Sequence, residues 1–263
     1  AHTPEGRIFH GSEMKKETVK AAWAAADSLS RKSIYVRTTF TSQQKKVKQA
    51  VVNICGLGLY ELSINGKKVG NSEFTPLISD YDKSVWYNTY DVTTLLQKVN
   101  NAIGVLLGNG FYNVQGGRYR KRLISFGPPT VRLQLTIHYE DGTSQTVASD
   151  KTWKYDFSPV TFNCIYGGED YDARQEQKGW NMAKFNETLW NQVVVQEGPK
   201  GVLRPQIAAP VAIMEHYSPI SATHLPDSLL AAASKSTKRK VDASAIVLDM
   251  GQNLAGFHEI TVK

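Results

Sequence analysis

The sequence predicts an all-β protein built as an antiparallel β-sandwich. Short stretches of alternating apolar and polar residues recur along the chain, and turn-forming residues separate them. The cleanest alternation runs over residues 131–139, where Val131, Leu133 and Leu135 fall on one face. A parallel α/β fold would need amphipathic helices between its strands, and the sequence offers none there.

Residues 1–32 are interpreted as an N-terminal arm. The segment 13–27 is rich in alanine, which favours a helix, although its apolar residues form no regular stripe. Trp23 is the one large apolar anchor, and we expect it to hold the arm against the body. The first residues contain no basic-then-apolar leader, so we expect that an export signal has been removed or never existed.

The body of the sandwich is predicted over residues 33–197. Its first strands are expected at 33–40 and 48–54, and a hairpin follows with its turn at Asn65-Gly66. Asn and Gly tolerate the positive φ angles that a type I′ turn requires, so this dipeptide is a strong hairpin signal.

The next elements continue the same pattern. A strand is predicted at 83–90, a short turn or helix begins at Tyr90-Asp91-Val92-Thr93, and the apolar strand 102–107 ends at Gly108-Asn109-Gly110. The strand 131–139 turns at Asp141-Gly142 and returns through 143–148. Further strands are expected at 151–157 and 193–195.

Residues 198–263 are predicted to be a linker and the truncated start of a second β-sandwich. Five prolines between 199 and 226 punctuate this region and mark a domain boundary. Residues 228–240 form either a loose helix or a loop. Residues 245–262 are interpreted as strand, turn and strand, with no later segment left to pair against, so we expect the rest of that domain to be absent.

Composition and charge exclude several classes of partner. The net charge is +7 and the pI is near 9.2, but the basic residues are dispersed, which indicates a solvated surface and no nucleic-acid partner. No segment approaches the roughly 20 consecutive apolar residues of a membrane span. Cys55 and Cys164 are each interpreted as small buried hydrophobes, and a bridge would require their strands to be adjacent.

No catalytic residue is predicted in this chain. The sequence lacks a GxSxG nucleophile elbow, and its histidines show no metal-ligand spacing such as HExxH. Gly108-Asn109-Gly110 lacks the Lys-Ser/Thr of a phosphate-binding loop, so it is interpreted as the turn that ends a strand.

Acidic and aromatic residues cluster in one predicted loop. The candidate ligand-binding residues there are Glu169, Asp170, Tyr171 and Asp172, with Arg174 close behind. Three interpretations stay open: a calcium site made of oxygen ligands, a sugar site, or a structural turn in which Arg174 pairs with the carboxylates.

A second candidate sugar site follows the turn at residues 108–110. Aromatic rings stack on sugar C–H surfaces, and Arg and Asn side chains hydrogen-bond hydroxyl groups in fixed directions. The alternative is an ordinary exposed loop. The candidate residues are Asn109, Phe111, Tyr112, Asn113, Arg118 and Tyr119.

Several ordered stretches carry a family resemblance. The stretches are GLGLYELSINGKKVG, TPLISDYDKSVWYNTYDVTTLL, NNAIGVLLGNGFYN, IYGGEDYDARQE, GWNMAKFNETLWNQVVV and VLDMGQNLAGFHEITV. In their order and spacing, from about Ser33 to Lys263, the chain resembles the N-terminal carbohydrate-binding-like domain of bacterial α-L-rhamnosidases.

The resemblance implies a galactose-binding-like jelly roll that can bind rhamnose, with calcium in some members. It implies a parent glycoside hydrolase that removes terminal α-L-rhamnose with inversion, using acidic residues of an (α/α)₆ barrel. That barrel lies C-terminal to everything present, so no catalytic residue transfers to this chain. It also implies a secreted or periplasmic bacterial protein whose partner is the catalytic domain of the same polypeptide.

The sequence therefore predicts a non-catalytic fragment that supports a catalytic module and can contact rhamnose-containing glycans. The rival hypothesis is a purely structural or interaction module without sugar affinity.

Overall fold

A computed structural model describes residues 2–3, 6–7, 23–25, 32–114, 123–224, 226–237, 246–259 and 261. Its helices are α1 (Asp227–Thr237) and 3₁₀ turns at Thr93–Leu95 and Ala173–Gln175. Its strands are β1 (His2–Thr3), β2 (Gly6–Arg7), β3 (Trp23–Ala25), β4 (Ile34–Thr41), β5 (Val47–Leu57), β6 (Leu59–Ile64), β7 (Lys67–Lys68), β8 (Ser72–Glu73), β9 (Ser84–Asp91), β10 (Asn100–Gly108), β11 (Asn113–Val114), β12 (Ile124–Ser125), β13 (Thr130–Tyr139), β14 (Ser144–Ala148), β15 (Lys154–Phe157), β16 (Val160–Cys164), β17 (Gly168–Tyr171), β18 (Asn191–Gln192), β19 (Val194–Gln196), β20 (Val202–Pro205), β21 (Val211–Ala212), β22 (Ser221–His224) and β23 (Ile246–Asp249).

Two large sheets form the β-sandwich that the sequence predicts. The six-stranded sheet has the order β18-β15-β4-β10-β6-β7. The seven-stranded sheet has the order β19-β3-β13-β5-β9-β20, with β14 paired to β13. The pairings are antiparallel except that of β20 with β9, which is parallel.

The hydrophobic core lies between these sheets because alternate side chains of each strand point inward. Val36 and Val105 enter it from the six-stranded sheet, and Val52 and Leu133 enter it from the seven-stranded sheet. All four are completely buried. Burying such a side chain contributes roughly 1.5–3 kcal/mol, so this shared core is the main source of stability.

The hairpin at Asn65-Gly66 is confirmed. Asn65 has φ 51° and Gly66 has φ 82°, the two positive angles that a type I′ turn requires. The predicted short helix after Tyr90 is also confirmed, as the 3₁₀ turn Thr93–Leu95. The predicted strands of the body correspond to β4, β5, β9, β10, β13, β14, β15 and β19.

The N-terminal arm differs from the helical expectation where it is described. Residues 23–25 form the strand β3, which lies between β13 and β19 in the seven-stranded sheet. Pairing on both edges outweighs the helix propensity of alanine, which is a weak preference per residue. The rest of the alanine-rich segment lies outside the described residues.

The C-terminal region also differs from the expectation. The predicted strand at the start of 245–262 exists as β23, and it pairs antiparallel with β22, which precedes it in the chain. Residues 253–259 form no strand. The open choice for residues 228–240 resolves to the helix α1 as far as Thr237.

A loop over residues 177–190, here called the strap, covers the outer face of the six-stranded sheet. Trp180 stacks on Tyr35 of β4 with ring centroids 4.0 Å apart. Arg37, whose side chain is buried, donates a hydrogen bond to the Met182 carbonyl (2.9 Å) and forms an ion pair with Glu187. The strap is thus fixed by both stacking and a buried charge.

The chain divides into two compact units, residues 1–212 and 213–263. Unit 1 contains both large sheets, and unit 2 contains α1, β22 and β23. Cys55 and Cys164 are buried free thiols, as expected of small hydrophobes. Among the described residues, no helix has the length and apolar character needed to cross a membrane.

Candidate functional site

The candidate residues after β10 meet the hairpin formed by β16 and β17. β10 ends at Gly108, and a Cβ atom there would lie 3.2 Å from Oδ1 of Asn163 in β16. The backbone N–H of Asn109 donates to that same oxygen (2.6 Å), and its side-chain amide donates to the Asn163 carbonyl (3.2 Å). Asn163 therefore joins the two candidate segments.

Asn109 and Asn113 belong to the interior rather than to a binding surface. The Asn113 side-chain amide donates to Oδ1 of Asn109 (2.7 Å), and the Ser125 hydroxyl donates to Oδ1 of Asn113 (2.8 Å). Both asparagines have 0% exposed surface. Buried amides bonded to one another in this way hold a loop in place.

Tyr112 is also buried. Its hydroxyl donates to the Phe126 carbonyl (3.3 Å), and its ring contacts Tyr81 edge-on with centroids 5.0 Å apart. Burial raises the pKa of the Tyr112 hydroxyl. Tyr112 thus belongs to a second small hydrophobic cluster with Cys55 and Leu57.

Phe111 is the candidate after β10 that reaches the surface. Its ring meets Tyr166 of the β16–β17 turn edge-on, with centroids 6.0 Å apart. Tyr166 is 38% exposed and Phe111 is partly exposed. The pair presents aromatic surface beside the acidic hairpin. Arg118 and Tyr119, the other two candidates of this loop, lie outside the described residues.

The acidic candidates do not converge on one point. β17 runs antiparallel to β16, with Glu169 opposite Asn163 and Asp170 opposite Phe162. Successive side chains of a strand point to opposite faces, so Glu169 and Asp170 point away from each other. Tyr171 donates its hydroxyl hydrogen to Glu176, and this hydrogen bond raises the pKa of Tyr171 to about 12.

Asp172 is a turn residue whose carboxylate oxygens already accept hydrogen bonds from its neighbours. Its carboxylate caps the 3₁₀ turn by accepting from the Arg174 backbone N–H, and Nε and Nη2 of Arg174 donate to it at 2.8 Å each. Gln175 adds a further hydrogen bond at 3.0 Å. These bonds, that of Arg174 first, hold the pKa of Asp172 well below its usual range.

The residues described do not fit a calcium ion. Within the described part of the chain, no group of three or more His, Cys, Asp or Glu side chains could hold a metal. Calcium takes six to eight oxygen ligands, whereas Asp172 is committed to Arg174 and its acidic neighbours diverge.

Sequence reasoning did not single out Asn163 or Tyr166. Asn163 precedes Cys164 and Tyr166 lies two positions after it, in a stretch that resembles an ordinary apolar strand and turn. The sequence feature that could have indicated Asn163 is a polar residue at the end of an otherwise apolar strand. A carboxamide in such a place needs hydrogen-bond partners.

Comparison with known proteins gives a consistent result. Residues 45–215 match the family model described as the α-L-rhamnosidase N-terminal domain. An α-L-rhamnosidase of Formosa agariphila is 38% identical over 224 residues, which cover 83% of this chain and 22% of that protein.

Solved structures agree with this match. The native α-L-rhamnosidase of Aspergillus terreus is 31% identical with a TM-score of 0.79, covering 92% of this chain and 27% of that one. The α-L-rhamnosidase of Dictyoglumus thermophilum is 35% identical with a TM-score of 0.71, covering 80% and 25% respectively. The chain therefore spans about a quarter of the length of these relatives.

Proposed function

We propose a role for this chain from its family, since it belongs to the family of α-L-rhamnosidase N-terminal domains. It is the non-catalytic β-sandwich of an α-L-rhamnosidase-like glycoside hydrolase, and it supports the catalytic module. This proposal rests on the family match over residues 45–215, taken together with the small share of each relative that the chain covers. That share is 22% for the Formosa protein. The catalytic chemistry would then reside in the part of the polypeptide that this chain does not match.

Several features follow from the same proposal. The sandwich is of the galactose-binding-like jelly-roll type, and unit 2 begins the next β-sandwich. The polypeptide is secreted or periplasmic, and the partner of this chain is the C-terminal catalytic domain. The buried Asn109–Asn113–Asn163 cluster and the strap support this role, since both make the sandwich rigid.

A chimera tests the supporting role. The matched region of the Formosa agariphila α-L-rhamnosidase is deleted in one protein and replaced by this chain in another. We expect the replacement to recover the thermal midpoint and the hydrolysis rate on an aryl α-L-rhamnoside that the deletion lowers. A chimera no better than the deletion would contradict the proposal. Turnover by this chain alone would contradict its non-catalytic character.

A second candidate function is contact with rhamnose-containing glycans. It is favoured by the Phe111–Tyr166 pair, whose partly exposed rings offer a stacking surface at the turn between β16 and β17. Titration calorimetry with L-rhamnose and rhamnogalacturonan oligomers tests it, with and without calcium. We expect binding heat that Tyr166→Ala removes and that Tyr217→Ala, at a similarly exposed tyrosine of unit 2, does not. No heat from the unaltered chain would favour the purely structural role.

A further inference from the structure

The indole N–H of Trp180, in the strap, differs from those of three other tryptophans. Trp86, Trp153 and Trp190 each donate it to an acceptor within the protein, at 2.9 to 3.3 Å. Trp180 is partly exposed, and its indole donates to no residue that the structure describes. Because an indole joins a large apolar ring to one polar donor, tryptophan is enriched at surfaces that contact other molecules. Trp180 thus has both a ring and a donor to offer a ligand.

Trp180 is held in a fixed orientation by its neighbours. One face of its ring stacks on Tyr35, with centroids 4.0 Å apart and an interplanar angle of 18°, so the opposite face points away from the sheet. The next residue, Asn181, donates its side-chain amide to the Ser63 hydroxyl (3.1 Å), and its carbonyl accepts from the Gly66 backbone N–H (3.1 Å). A side chain that is fixed in advance loses little conformational entropy when a ligand binds.

Two exposed carboxylates lie near the stacked rings. Glu61 of β6 and Tyr35 of β4 are both opposite Leu106 of β10, so they lie on the same row of the sheet. Glu176 accepts a hydrogen bond from the Tyr171 hydroxyl. Burial, and then the charges of Glu176 and Glu61, raise the pKa of the Tyr35 hydroxyl, which is consistent with both carboxylates being close to it. Both glutamates are exposed, so a ligand over the rings could reach them.

These groups suit a neutral pyranose sugar. The C–H face of a sugar stacks on an aromatic ring, carboxylates accept from its hydroxyl groups, and an indole N–H donates to a hydroxyl oxygen. A sugar acid is disfavoured, because its carboxylate would lie near Glu61 and Glu176. Lys68 does not reverse this preference, since it already pairs with Glu61 (3.3 Å) and Glu73 (2.7 Å).

We propose that Trp180, Glu61 and Glu176 form a binding site for a neutral pyranose sugar on the outer face of the six-stranded sheet. This site is here called the platform. It goes beyond the proposed function, because the supporting role does not depend on it. It also shares no residue with the Phe111–Tyr166 surface.

Nuclear magnetic resonance of the ¹⁵N-labelled chain tests the platform, with L-rhamnose, D-galactose and D-galacturonate as probes. Each indole N–H gives its own resonance, and the resonance that Trp180→Phe removes belongs to Trp180. Phenylalanine keeps a ring on Tyr35, and the remaining indole resonances show whether the fold is kept. We expect at least one of the two neutral sugars to shift the Trp180 resonance in a saturable way, while that of the buried Trp153 stays in place.

Glu176→Gln should weaken this binding about tenfold, because it removes the charge from a hydrogen-bond acceptor of the sugar. Glu169→Gln is the matched control, at an exposed glutamate of β17 outside the platform, and it should leave the affinity unchanged. We expect D-galacturonate to bind at least about tenfold more weakly than the neutral sugar.

A Trp180 resonance that neither neutral sugar moves would overturn the platform, even if other resonances shift. Equal affinities of the Glu176→Gln and unaltered chains would overturn it as well, and so would D-galacturonate binding as tightly as the neutral sugar. None of these results affects the supporting role, which the chimera tests separately.

Discussion

Asn109 shows how a side chain suited to sugar binding can be used for structure instead. Its backbone N–H and its side-chain amide donate to Asn163, and its side-chain oxygen Oδ1 accepts from Asn113. Asn109 and Asn113 are both completely buried. Each of these groups depends on the others for its partner. The cluster therefore stabilises the turn after β10, and it brings the β16–β17 hairpin against that turn.

Asn109→Ala should lower the free energy of unfolding by about 2–3 kcal/mol, because it removes the acceptor of the buried Asn113 side-chain amide and the side-chain bond to the Asn163 carbonyl. Urea unfolding of the two proteins measures the difference. Asn100→Ala, at an exposed asparagine at the start of β10, should change it by less than about 0.5 kcal/mol. Unchanged stability of Asn109→Ala together with lost rhamnose heat would restore Asn109 as a sugar ligand.

At the scale of elements, the sequence predicted the strands whose alternation or turn chemistry is local. Asn65-Gly66 and the run from Val131 to Tyr139 are the clearest examples, since each pattern is complete within a few residues. β3 was not predicted, because three residues in an alanine-rich segment acquire strand geometry only from their neighbours β13 and β19.

The candidate site was less predictable than the sandwich. Phe111 and Tyr166 are 55 positions apart in numbering and meet through two loops, so no local pattern joins them. Asn113 has the residue type of a sugar ligand, but its burial depends on Asn109 and Ser125. Composition can indicate which side chains suit a ligand, and only the fold decides which of them face solvent.

The strap offers a test at the same scale. At Gly104 of β10, an added Cβ would lie 2.7 Å from both Asn181 and Trp180, so no side chain fits beneath the strap. Gly104→Ala should destabilise unit 1 by about 1–3 kcal/mol through this overpacking. It should also change the tryptophan fluorescence, because Trp180 must move away from Tyr35.

Gly256→Ala is the control for the strap, since the nearest atom to its added Cβ is 3.5 Å away in ordinary contact. Equal, small effects of the two substitutions in urea unfolding would mean that the strap adapts and is not fixed by Gly104.

For the whole molecule, the two hydrophobic clusters lie within unit 1. The large side chains of unit 2 include Ile246 and Leu248 of β23, which are more than half exposed. We therefore expect the segment 1–212 to fold without unit 2, with a thermal midpoint within about 2 °C of the full chain. Differential scanning calorimetry of both proteins measures this, and a clearly lower midpoint for the shorter chain would show that unit 2 contributes to the core of unit 1.

The position of β3 also determines when the protein can finish folding. β3 comprises residues 23–25, yet its neighbours are residues 130–131 of β13 and 194–196 of β19. During synthesis this strand leaves the ribosome before both of its partner strands. The second partner, β19, is made only after most strands of the sandwich. Contacts so distant along the chain close slowly, and they leave strand edges exposed in the meantime. Pairing of β3 on both of its edges is thus a late event, reached only after residue 196 has emerged.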